Sequence, residues 1–94
     1  MTDRKSRSTP RPFALHWGRG VIAEEATFVA EHHEPSVQLL EFEDGSESVR
    51  FCYYDHAGRF QRSPLIVAKE DMNGMRKALA EMPRLKALLR EMTG

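Results

Sequence analysis

Val49-Arg50-Phe51-Cys52-Tyr53-Tyr54, the link Asp55-His56-Ala57-Gly58, then Arg59-Phe60-Gln61-Arg62 and the apolar Leu65-Ile66-Val67: residues 49–67 decide how this chain folds. Val49, Phe51 and Tyr53 recur at period two, as do Arg50, Cys52 and Tyr54. The segment therefore reads as a strand with one apolar and one mixed face. A four-residue link ending in glycine suits a hairpin loop built on a type I turn. Arginines and rings gather on this hairpin, and that pairing is the chemistry by which single-stranded nucleic acid is held.

Upstream, Val37-Gln38-Leu39-Leu40-Glu41-Phe42-Glu43 reads as a strand with apolar residues on both sides, and Asp44-Gly45 supplies the turn into residue 49. Residues 26–31 are expected to form a further strand, although Ala23-Glu24-Glu25-Ala26 has helical propensity. Downstream, Leu65 to Ala68 closes the sheet after Ser63-Pro64. Met72, Met75, Leu79 and Met82 then recur at helical steps. Pro83 ends or kinks this helix and suits the first turn of a second, which carries Leu85, Leu88, Leu89 and Met92. The expected class is α+β: an antiparallel sheet of about four strands packed against one or two C-terminal helices. Its core is expected to hold Leu39, Phe51, Tyr53, Ile66, Met75 and Leu79.

Ninety-four residues allow one domain with a modest core. Residues 1–12, rich in Thr, Ser, Arg, Lys and Pro, read as a disordered basic tail, and residues 13–94 as the domain. No apolar run spans a bilayer or forms a signal-peptide core, and the lone Cys52 excludes an internal disulfide. A reducing, cytoplasmic location with no membrane association is the expectation. The zero net charge is segregated: residues 1–11 carry +3, residues 20–49 carry −8 with no Lys or Arg, and residues 50–94 carry +4. A uniformly basic nucleic-acid binder is excluded; a two-faced one is not.

No paired carboxylates, P-loop or nucleophile elbow appears, so no enzymatic role and no cofactor are expected. His32 and His33 would point to opposite sides of a strand, which argues against a shared metal, and Pro35 suits a turn there. Cys52 with His56 is the only thiol–imidazole pair close in sequence, and a mid-strand Cys is usually an inert small hydrophobe. Trp17, with Arg19 beside it, reads first as a core or edge-covering residue.

The succession of strands and amphipathic helix over residues 37–89 resembles the single-stranded-DNA-binding domain of the positive-cofactor-type transcriptional coactivators. Residues 49–55 look like that family's strand ending in two aromatics and an Asp. Gly58 matches its turn, Arg62 its basic stretch, and Leu65-Ile66-Val67 with residues 70–75 its last strand and helix entry. The chain departs from the pattern where Ser63-Pro64 replaces glycine and lysine, where Ala68 replaces an Asn cap, and in its acidic first strands. The resemblance implies two protomers paired through their helices, presenting a curved sheet to unpaired strands. It also implies Tyr54 as a stacking residue and Arg59 and Arg62 as phosphate contacts.

Two functions follow as expectations. The first is a small non-enzymatic protein that binds single strands through Arg50, Tyr54, Arg59, Phe60 and Arg62, with a role in transcription regulation. It would be a homodimer whose interface holds Met72, Met75, Leu79, Met82, Leu85 and Leu89. The second is a protein-interaction or self-assembly module with no nucleic-acid role, served by an adaptable Met-rich helix surface. Under the second, the arginines form an ordinary sheet face paired with acids of the neighbouring strand.

Overall fold

The structure, a computed structural model, describes residues 7–61 and 64–94. Five antiparallel strands run as a simple meander in the order β1-β2-β3-β4-β5: β1 (Arg11–Leu15), β2 (Gly18–Thr27), β3 (Glu34–Phe42), β4 (Glu47–Tyr54) and β5 (Leu65–Ala68). A 3-10 turn (Lys69–Asp71) leads into α1 (Met72–Ala80) and α2 (Pro83–Thr93). The class is α+β, with five strands where about four were expected.

The extra strand comes from residues that carry little strand signal. β1 lies beside β2, with Phe13 opposite Gly20 and Leu15 opposite Gly18. On the other edge of β2, a Cβ at Gly20 would run into the Glu41 backbone of β3, so the β2–β3 approach there admits only glycine. β2 also overrides the helical propensity of Ala23-Glu24-Glu25-Ala26, because each of its edges has a partner strand. A bulge between Ile22 and Glu24 keeps Ile22 and Glu25 on the same side. The β3–β4 turn forms as its sequence suggests: Gly45 takes φ 90°, and Oδ1 of Asp44 accepts from the Ser46 amide at 2.9 Å.

One face of the sheet is buried although no helix covers it. Phe13, Ile22 and Leu40 form its core, with Leu15, Phe42 and Ile66 packed against them. The sheet curls to achieve this. The Arg50 guanidinium on β4 lies 5.9 Å from the Phe13 ring on β1, although β2 and β3 intervene and flat strands would be about 4.8 Å apart each. The rest of this inner face is polar: Glu34, Ser36, Gln38, Ser48 and Arg50 are all buried.

The expected core thus falls largely on the wrong side. Phe51 and Tyr53 are 37% and 44% exposed, Met75 is exposed as well, and Leu39, Ile66 and Leu79 are half-buried. The period-two alternation of β4 holds, but the face that turns inward is Arg50, Cys52 and Tyr54. The physical reason is the helices. They run on from β5 without burying any residue of their own, so the apolar face of β3, β4 and β5 has no helix over it among the described residues. No helix among the described residues is long and apolar enough to cross a membrane.

Candidate nucleic-acid interface

The polar half of the inner face is one connected network. On β3, Glu34, Ser36 and Gln38 face Tyr54, Cys52 and Arg50 of β4. Glu25 of β2 is its hub: it accepts from Arg11 Nη1 at 2.8 Å, Ser36 Oγ at 2.6 Å and Gln38 Nε2 at 2.7 Å. Burial alone would raise the Glu25 pKa; the hydrogen bonds from Arg11, Ser36 and Gln38, with the Arg11 charge, outweigh it and bring it down to about 2. Burial likewise opposes the charge on Arg11, but bonding to Glu25 and Tyr54 prevails and its pKa is raised.

Tyr54 sits at the end of this network. Its hydroxyl oxygen accepts from Gln38 Nε2 at 2.9 Å and Arg11 Nη2 at 3.0 Å. One ring contact is the Arg7 guanidinium, 4.2 Å from the centroid; another is Phe60, edge-on at 5.5 Å. A bridge between Tyr54 and Phe60 brings the chain back after the turn, where Gly58 takes φ 86°. Asp55 fixes that turn by accepting from the amides of Ala57 and Arg59, and these bonds hold its pKa low.

Arg50 is the other centre. It is 6% exposed, and its Nε donates to Gln38 Oε1 at 2.7 Å. Its guanidinium lies over the Phe60 ring at 4.8 Å and over the Phe13 ring at 5.9 Å. Arg11 faces Glu25 and Arg7 faces Glu34, but Arg50 forms no salt bridge among the described residues.

Of the residues expected to bind nucleic acid, Arg50, Tyr54 and Phe60 are therefore brought into one cluster. Arg59 stays out on the turn, ion-paired to Asp55 at 2.8 Å. Arg62 lies outside the described residues. Phe60 is 42% exposed, whereas Tyr54 is buried. Sequence reasoning missed Arg7, Arg11, Glu25, Glu34 and Ser36. Residues 1–6 of the expected tail are outside the described residues, but Arg7 is buried against Glu34 and β1 begins at Arg11. The signal was present in Glu34, Ser36 and Gln38, polar at period two opposite Arg50 and Tyr54.

The helical residues expected at a dimer interface keep an open surface. Met72, Met75, Met82 and Leu85 are exposed, and Leu79 and Leu89 half-buried. Among the described residues no group of three His, Cys, Asp or Glu is placed to hold a metal ion. The chain matches no family model, and neither the curated proteins nor the solved structures give a significant match.

Proposed function

We propose that this chain is a non-enzymatic, cytoplasmic protein that binds single-stranded nucleic acid at the Arg50–Phe60–Tyr54 cluster, works as a homodimer and serves in transcription regulation. The observation that carries this reading is Arg50. A nearly buried cation normally has a carboxylate beside it, because an unpaired buried charge is costly. Among the described residues Arg50 has instead a neutral amide, the Cys52 thiol and two rings, and its nearest ring, Phe60, is 42% exposed. A phosphate would supply the missing charge, and an unpaired base has a ring to stack on. The resemblance of residues 37–89 to a single-strand-binding domain points the same way.

The test is a titration with a fluorescent single strand and its duplex at low and moderate salt. Single strands should bind better, with affinity falling as salt rises. Arg50→Gln should flatten the salt slope by about one phosphate contact. No binding at about 50 mM salt would remove the reading.

A self-assembly module without nucleic acid is the second reading, and a different observation favours it. Among the described residues fourteen large hydrophobic side chains are exposed against four buried ones. Phe51, Tyr53 and Leu65 on the outer sheet face and the Met/Leu stripe of α1 and α2 make surfaces that association would cover. The two readings share the homodimer; they differ in whether the inner face has a ligand.

A further inference from the structure

Arg7 occupies the place on Tyr54 that a base would take. Its guanidinium carbon lies 4.2 Å from the ring centroid. Its Nη2 donates to Oε1 of Glu34 at 2.9 Å, and the Glu34 side chain is wholly buried. Arg11 holds the same arm down: its Nη1 donates to the Arg7 carbonyl at 2.7 Å, while its Nη2 reaches the Tyr54 hydroxyl. The Arg7 side chain is only 8% exposed, yet its Nε and Nη1 are buried and meet no acceptor among the described residues.

Such a guanidinium is held less firmly than its burial suggests, since each buried donor left unmade carries its desolvation penalty. Glu34 does not present both oxygens to it, because Oε2 faces His56 Nδ1 at 3.0 Å. A phosphate presents the two-oxygen edge that an arginine fork fits. The arm is thus closed by a contact that a phosphate can better.

We propose that Arg7 is a gate residue: it covers Tyr54 until one ligand supplies both a phosphate to draw the guanidinium off Glu34 and a base to take its place on the ring. The gate rests on the single-strand reading above and adds selectivity to it. A nucleoside without phosphate must displace Arg7 uncompensated, and a polyanion without bases leaves the ring with nothing to stack on.

The test uses the full chain, with adenosine and a single-stranded oligoadenylate as probes and the Tyr54 ring protons as the NMR reporter. The variant Arg7→Ala/Glu34→Gln removes both charges of the latch together, so neither is left buried alone. Adenosine should bind this variant about tenfold tighter than the wild type, as expected when one charge-assisted hydrogen bond no longer has to be broken. Oligoadenylate should lose about one contact from its salt slope. Arg7→Lys, which keeps the charge but not the planar face, is the second variant and should also gain adenosine affinity. Unchanged or weaker adenosine binding, in variants whose spectra keep the wild-type fold, overturns the gate. Oligoadenylate binding that depends on Phe60 without any adenosine gain removes the gate alone. If oligoadenylate binds neither wild type nor variant, the single-strand reading falls and takes the gate with it.

Discussion

Replacing Glu25 tests whether the inner face is held by its polar network. In Glu25→Ala the guanidinium of Arg11 loses both its carboxylate contacts, at 2.8 and 3.2 Å, and Ser36 and Gln38 each lose an acceptor. Breaking a buried pair by deleting one partner costs about 3–5 kcal/mol. Here every donor keeps a fallback: Arg11 the Arg7 carbonyl and Tyr54 hydroxyl, Ser36 the Thr27 hydroxyl, Gln38 the Tyr54 hydroxyl. The expected loss is therefore at the low end, about 3 kcal/mol, a large share of a small domain's stability. Urea unfolding at neutral pH measures it. The same carboxylate sets a pH dependence. Its pKa is lower folded than unfolded, so its contribution is complete above about 4.5 and is lost as pH falls towards 2. Wild type and Glu25→Gln should thus converge in stability across that window. A loss under about 1 kcal/mol at neutral pH, or parallel pH curves, would mean that the network is incidental to the fold.

Three further outcomes are expected. Sedimentation should find a mass above 10.8 kDa at tens of micromolar, with Met75→Asp and Leu88→Asp shifting it towards the monomer; a wild-type monomer would count against the dimer. Cys52→Ala should cost on the order of 1 kcal/mol, and the wild-type thiol should react slowly at neutral pH because burial raises its pKa; rapid labelling would contradict this. Phe60→Ala should weaken single-strand binding by roughly 1–3 kcal/mol and cost less than that in stability, since the residue is 42% exposed; an equal loss in both would make Phe60 a packing residue.

The elements with strong local signals were legible in the sequence. The alternation of residues 49–54, the Asp44-Gly45 turn, the Met/Leu periodicity and Pro83 at the start of α2 each place an element correctly. β1 was not legible, because Arg11–Leu15 is short and has no period of its own; it becomes a strand through its pairing with β2, a tertiary requirement. Which face of β4 turns inward was not legible either. Hydrophobicity favoured Phe51 and Tyr53, and the opposite face won because Gln38, Glu25, Arg11 and Tyr54 satisfy one another across four strands. Arg50, Tyr54 and Phe60 could be named from residue type. That Arg7 would lie on Tyr54 could not, since nothing local marks it out from Arg4, Lys5 and Arg11 in the same Ser/Thr/Pro-rich stretch.

The inverted faces have one explanation in common. A sheet that curls without a covering helix can close its inner face only with side chains long enough to reach across the trough, and Arg, Gln, Glu and Tyr reach further than Val or Leu. Those residues carry polar atoms, so closing the trough requires that they pair, and the Glu25 hub is that pairing. Apart from the Phe13, Ile22 and Leu40 cluster, apolar side chains are then left to the outer face and to the helices. With Phe13, Ile22, Leu40 and Tyr54 as its only buried hydrophobics among the described residues, the isolated chain has little apolar burial to set against its conformational entropy. In the proposed homodimer, burial of the outer face by a second chain would supply what the inner face lacks. On this account Met75→Asp should lower thermal stability as well as the mass. A variant that became monomeric at full stability would show that the polar network suffices alone.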